Sequence, residues 1–244
     1  MGFRRGQGRF GASLHRAMTD HPLVSCLCVT RHRVDLLRRA VACFQAQTYP
    51  ARELILLFES DDAATRDYAL ALGDPAIRPV EVAVAPKQPL GVLRNLAIEA
   101  SRGHYVAQWD DDDWHSPARL ASQMAAIREH QRAGCVLYRW LLYDAVARRA
   151  YISGQRPWEG SLVAQRDSVP PYPALKRLED TPVVDAMFMQ NMLVCLDTPE
   201  LYVYTFHGAN TWDAQHWNEQ VVPYAEPLPP AMLAQIEQVL GVLV

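Results

Sequence analysis

The sequence predicts an α/β fold with a mostly parallel, Rossmann-like central sheet flanked by helices. Three observations carry that expectation. Continuous apolar runs of strand length recur, as in LVSCLCVT (23–30) and ELILLF (53–58), which is the pattern of strands buried on both faces of a parallel sheet. Segments with apolar residues at helical spacing separate them, and this alternation makes a parallel sheet the economical solution. Acidic residues also follow several of the apolar runs, at the carboxyl ends where open α/β sheets bind ligands.

Taken in order, Leu23 to Thr30 is the first strand. Val34, Leu37, Val41 and Phe44 then mark the inner face of a helix that stops at Thr48-Tyr49-Pro50. Glu53 to Phe58 is the second strand; it runs into Glu59, Ser60, Asp61 and Asp62 and a helix from about Ala63 to Leu72. A short strand is expected at about Val80 to Val84. Pro89 and Gly91 open the next helix, with Arg94 in its first turns, where it meets either a phosphate or a surface carboxylate. Tyr105 begins the strand that leads into Trp109, four consecutive aspartates and Trp114, and Ser116-Pro117 is expected to start a helix reaching about Gln131.

Beyond Gln131 the chain becomes richer in Tyr and Trp. Strands are expected within Cys135–Tyr143, Ala150–Ser153, Gly160–Ala164 and Tyr202–Phe206, and helices from Pro182 through Met189 and from Leu228 to Val244. Ser168 to Tyr172 (SVPPY) is a conformationally restricted loop. Glu179-Asp180 precedes one of these helices, a position equally natural for a helix cap.

Composition narrows the function. Half of the 244 residues are hydrophobic, enough for one large domain core. A net charge of −3 argues against general nucleic-acid binding, which leaves a strongly basic footprint. Residues 1–21 carry Arg4, Arg5, Arg9 and Arg16 among small residues, a basic leader suited at most to weak attraction to an anionic membrane. No run of about twenty apolar residues is present. The five cysteines lie mostly in apolar context and read as reduced core residues, which implies the cytoplasm.

The aspartate run Asp110–Asp113 is the most informative feature. Four adjacent like charges at a strand end need a positive partner. Oxygen ligands suit Mg²⁺ or Mn²⁺, which proteins usually hold through one or two carboxylates plus substrate phosphates. Trp109, Trp114 and, further on, Trp212 are candidates for seating a base or sugar ring, with core packing as the alternative.

In sequence, the blocks VSCLCVTRHRVDLLRRAVACFQAQTYP, ELILLFESDD, GVLRNLAIEASRGHYVAQWDDDDWHSPARL, LED and HGANTW resemble the family-2 glycosyltransferases of the GT-A fold, over about Pro22 to Trp212. The resemblance implies a nucleotide-sugar-binding half (22–132), an acceptor-binding and catalytic half (133–225) and a C-terminal helix (226–244). It places Thr30, Arg31, Glu59, Arg94, Asp110 and Asp111 on the nucleotide sugar. Asp112, Asp110 and His207 become the ligands of Mn²⁺ or Mg²⁺, and Glu179-Asp180 the catalytic acidic pair with Asp180 as base. Phe58-Glu59 stands where the family has paired acids, and Arg31-His32 where it has Tyr-Asn. The Gln-X-X-Arg-Trp motif of processive members is absent, which favours transfer of a single sugar.

The expected activity is thus inverting, metal-dependent transfer from a nucleotide-diphosphate sugar, a UDP-sugar foremost, to a glycan or lipid-linked acceptor. The setting it implies is bacterial surface polysaccharide or glycoconjugate assembly. A sugar-nucleotide nucleotidyltransferase is an alternative that would show a Gly-rich basic loop after the first strand, whereas Arg31-His32-Arg33 has no glycine. A non-catalytic binding protein of the same fold is another, and it would tolerate loss of Glu179 and Asp180.

Overall fold

The computed structural model describes residues 21–242, so the basic leader lies, apart from His21, outside the described residues. The first half runs β1 (Val24–Val29), α1 (Val34–Gln45), β2 (Arg52–Glu59), α2 (Ala63–Ala71), β3 (Ile77–Val82), α3 (Leu90–Ala100) and β4 (Tyr105–Gln108). The chain continues through β5 (Trp114–His115), α4 (Arg119–His130), β6 (Gly134–Leu137), β7 (Leu141–Asp144), β8 (Arg149–Ile152) and β9 (Trp158–Gln165). It ends with α5 (Thr181–Met189), β10 (Leu193–Leu196), β11 (Tyr202–Phe206), the short α6 (Ala214–His216), β12 (Glu226–Pro227) and α7 (Pro230–Val242).

The central sheet has the order β10-β6-β9-β4-β1-β2-β3. The pairs β1/β2, β1/β4, β2/β3 and β6/β10 are parallel, and β9 runs antiparallel to both neighbours. The chain moves outward from β1 to β3 and then crosses back through α3 to place β4 on the other side of β1. The order therefore reverses between β1 and β4, and the crevice beyond their carboxyl ends is the topological switch point of this sheet. Strands β1 and β2 are apolar on both faces because helices cover both; Cys26, Cys28, Leu54 and Leu56 pack in one cluster, Leu27, Ile55 and Leu57 in another. Burial pushes the Cys26 and Cys135 thiols up to about 12, as inert core cysteines should be.

Several features differ from the sequence expectation. The helix expected from Pro117 begins at Arg119, with no side-chain cap, because Trp114 and His115 first form a strand against Val203 and Tyr202. That pair belongs to a second sheet, β12-β8-β7-β11-β5, which the sequence did not indicate. Two-residue strands such as β5 and β12 are too short to display alternation. The Cys135–Tyr143 segment breaks after Leu137 into β6 and β7, which join different sheets. The third strand lies at Ile77–Val82, a few residues before its expected place, and β10 went unrecognised. Trp109 is fully buried, its indole donating to the Ala40 carbonyl at 3.0 Å, and Trp114 is buried too. Both therefore serve packing, not the seating of a ring.

Among the described residues, no helix is long and apolar enough to cross a membrane.

Candidate active site

The switch point opens into a cavity of about 380 Å³. Asp110–Asp113 from the end of β4, Arg33 from the loop after β1, Arg94 from α3 and Leu178–Thr181 line it, and Trp158, Glu159 and Gly160 from β9 complete that side. Thr30 ties the two strand ends together, its hydroxyl donating to Asp111 Oδ2 at 2.5 Å.

The four aspartates, adjacent in sequence, have four different surroundings. Asp110 accepts from Arg94 Nη2 at 3.2 Å. Asp111 is buried between Thr30 and Arg33, and burial together with the Asp112 charge raises it to about 7. Asp112 lies 2.9 Å from Arg33 Nη1 and 3.3 Å from His207 Nε2. Burial opposes its ionisation, yet His207 and Arg33 hold it below the usual carboxylate range. Asp113 turns away into the second sheet, where Tyr202 donates to it at 2.5 Å and the Thr205 amide at 2.9 Å. Burial and the neighbouring Asp112 and Asp110 charges raise it well above the usual range.

All four thus border the cavity, but the Asp113 carboxylate is committed to Tyr202 and the Thr205 amide as a structural anchor for the second sheet. The positive charge the run demands comes partly from Arg33, which sequence reasoning missed although it stands in the basic loop after the first strand. Arg94 supplies more, and the Asp112 carbonyl accepts from the buried Arg39.

Arg94 is the centre of the opposite wall. Its Nε donates to Glu179 Oε1 at 2.8 Å while Nη2 holds Asp110. Burial works against its charge, but Asp110, Glu179 and Asp180 outweigh that and raise its pKa. Glu179 is buried and committed to this contact, whereas Asp180 is half-buried and lines the cavity. Asp180 occupies the N-cap position of α5 yet makes no side-chain cap hydrogen bond. Its Oδ2 instead meets Gln108 Nε2 at 3.4 Å, so capping does not account for this carboxylate.

The Glu179–Asp180 loop is held in place through Gly91. Its amide donates to the Leu175 carbonyl at 3.1 Å, and a Cβ there would overlap the Pro173 carbonyl oxygen and sit 3.2 Å from Glu179 Cβ. Gly91→Ala is expected to lower stability by about 1–3 kcal/mol through this overpacking, and to reduce activity further by displacing the loop. Thermal unfolding and turnover measured side by side check it; wild-type values for both would mean that the loop is not clamped here.

Three expected nucleotide contacts, Thr30, Arg31 and Glu59, lie outside the cavity lining. Arg31 and Glu59 form their own cluster at the ends of β1 and β2, with Arg31 Nε 3.3 Å from Glu59 Oε2 and Nη2 2.6 Å from Asp61. Lys87 also pairs with Glu59, while Glu59 Oε1 is buried without a hydrogen-bond partner. For a divalent cation, Asp112 Oδ2 and His207 Nε2 converge and combine a hard oxygen with an imidazole, a donor set suited to Mn²⁺. Among the described residues no group of three or more His, Cys, Asp or Glu surrounds a common point. Two protein ligands fit a cation that takes its other positions from substrate phosphates and water.

Known proteins resemble this chain in sequence and in fold. The family model described as Glycosyl transferase family 2 matches residues 25–189. WcaA of Escherichia coli (strain K12), whose name assigns it to colanic acid biosynthesis, is 32% identical over 113 residues, 44% of this chain and 39% of WcaA. EpsH of Bacillus subtilis (strain 168), named as a glycosyltransferase, is 31% identical over 98 residues, 40% of this chain and 28% of EpsH. The match therefore spans well under half the length of these curated relatives.

Among solved structures, S. aureus TarS 1-349 in complex with UDP-GlcNAc aligns with a TM-score of 0.61 at 14% identity, covering 77% of this chain and 60% of that one. The mannosyltransferase PcManGT from Pyrobaculum calidifontis, in complex with GDP-Man and Mn²⁺, aligns with a TM-score of 0.57 at 14% identity, covering 79% and 59%. At such identities the likeness is one of fold, and the fold is GT-A. The family match takes in well over half of the chain, from the second residue of β1 to the last of α5, and on that extent the chain belongs to glycosyl transferase family 2.

Proposed function

We propose that this protein transfers a single sugar from a nucleotide-diphosphate sugar to an acceptor hydroxyl, with inversion, in a reaction that uses a divalent cation. The observation that carries the reading is the facing of Asp180, free of any cap bond, with Asp110–Asp112 and Arg94 around one cavity. Thr30, Arg31 and Glu59, at the strand ends beside the cavity, are the side suited to the nucleoside.

Asp180 takes the proton of the acceptor hydroxyl as its oxygen bonds to the anomeric carbon. The bond from that carbon to the diphosphate oxygen breaks, and its electron pair leaves with the diphosphate. Arg94, aimed by Glu179, lies where that charge grows, and Arg33 is near enough to share it. In this reading Glu179 acts through Arg94 and is a positioning residue. Asp112 and His207, with Asp110 beside them, would hold Mn²⁺ or Mg²⁺, which supplies Lewis-acid stabilisation of the leaving diphosphate. A UDP-sugar is the first candidate donor, in keeping with the UDP-GlcNAc bound by TarS, although PcManGT holds GDP-Man. Assembly of a bacterial surface polysaccharide or glycoconjugate is the setting that accords with the name of WcaA, with a glycan or lipid-linked acceptor.

Calorimetric titration with UDP, GDP and dTDP, each with Mn²⁺ and with EDTA, tests the donor half. One nucleotide is expected to bind with metal, and Asp112→Ala is expected to weaken it at least about tenfold. Absence of binding to any of the three in the presence of Mn²⁺ would sink the reading.

A further inference from the structure

The wall of the cavity contributed by the 156–158 and 212–216 segments has a chemistry of its own. Arg156 lies 4.2 Å over the Trp158 ring, and Arg177 lies 5.2 Å over Trp212. Trp212 in turn stacks on His216, with ring centroids 4.3 Å apart and planes 24° from parallel. All five residues line the same cavity as Asp180.

Of the four arginines lining that cavity, Arg33, Arg94 and Arg156 each pair with a carboxylate, to Asp111 and Asp112, Asp110 and Glu179, and Glu159 respectively. Arg177 pairs with no carboxylate and makes no hydrogen bond among the described residues, although its own wall includes Glu159 and Asp180. Burial and the charges of Arg156 and Arg177 push His216 below the usual histidine range against the pull of Asp213. Both guanidinium groups therefore act on one imidazole. This cationic group is distinct from the Arg33–Arg94 pair that flanks the aspartates.

An exposed, unpaired guanidinium on a cavity wall selects an anion, while the indole faces beside it are taken, Trp158 by Arg156 and Trp140, and Trp212 by Arg177 and His216. We propose that the acceptor is an anionic sugar, carrying a carboxylate or a phosphate that docks on Arg177 at the wall of this cavity. The proposal rests on the transferase reading and names the substrate class of its acceptor side.

The test uses ligand-observed NMR on the full chain, saturated with Mn²⁺ and the nucleoside diphosphate selected by titration. The probes are methyl β-glucoside, methyl β-glucuronide and glucose 6-phosphate, which present a hydroxyl, a carboxylate and a phosphate at the same corner of one ring. At least one anionic probe is expected to bind about fivefold or more tighter than the glucoside, and which one does so identifies the group. Arg177→Gln is expected to shrink that preference to less than about twofold with nucleotide affinity unchanged. Equal binding, or no binding, of all three would overturn the proposal. So would a loss of nucleotide affinity in Arg177→Gln, which would assign the arginine to the donor diphosphate. Failure of every nucleotide to bind is a separate result and strikes the transferase reading instead.

Discussion

Asp180→Asn is expected to lower turnover by about 10²–10⁴-fold, with nucleotide affinity held within about twofold. The substitution keeps the shape of the side chain and its contact with Gln108 Nε2 but removes the ability to accept a proton. The helix it precedes is not at risk, because Asp180 makes no side-chain cap bond; its main-chain carbonyl, which accepts from Val183 and Val184, is untouched. Release of nucleoside diphosphate from the selected sugar nucleotide measures the effect. The informative control is Glu159→Gln. Glu159 lines the same cavity, accepts from Thr181 Oγ1 at 3.1 Å, and has a pKa raised by burial, so it is the next carboxylate able to serve as base. If Asp180→Asn stays active and Glu159→Gln does not, the proton goes to Glu159 and the assignment made from the acidic pair is wrong.

Arg119→Met is expected to be the most destabilising change outside the cavity, by about 3–5 kcal/mol. Arg119 is fully buried beneath the aspartate run and has no carboxylate partner within salt-bridge distance among the described residues. Its guanidinium is held by Gln123 Oε1 at 3.1 Å, His115 Nδ1 at 2.7 Å, the Gln108 carbonyl at 3.0 Å and the Gly160 carbonyl at 3.4 Å. The Trp109 and Tyr202 rings each lie 5.2 Å from its Cζ. Burial and the adjacent arginine charge push His115 well below the usual histidine range, so a neutral imidazole accepts from Arg119.

Methionine fills the space but leaves those acceptors without donors. It also removes a buried positive charge that interacts with Asp110 and Asp113. At about 2–4 °C per kcal/mol for a chain of this size, the melting temperature should fall by roughly 10 °C. A fall of less than about 2 °C would mean that water or a rotated Gln123 replaces the guanidinium, and that the residue is no keystone of the site. No local pattern marks this residue, since an arginine in the first turn of an amphipathic helix ordinarily faces solvent.

The order of strands and helices through β4, and the place of the acidic run at a strand end, could be read from the residues because they rest on local properties. Apolar run length, helical spacing and a cluster of like charges are all visible within about a dozen neighbours. The second sheet escaped that reading because β5 and β12 are two residues long, and because the pairing of β11, itself expected at Tyr202–Phe206, with β7 and β5 joins segments far apart in the chain. The candidate site was half legible for the same reason. Asp110–Asp112, Arg94 and Asp180 stand in motifs, whereas Arg33, Arg177 and Glu159 lie outside any spacing that marks them.

The sequence by itself determined that this is an α/β chain of the family-2 glycosyltransferase pattern with its acidic cluster where such sheets bind ligands. The tertiary structure alone decided what each charge does. Thr30 meets Asp111 across 81 positions, Arg94 meets Glu179 across 85, and Tyr202 meets Asp113 across 89. Adjacent carboxylates with the same composition and neighbours in sequence diverge in role because the partners that neutralise, protonate or orient them arrive from strands and loops the chain brings back much later.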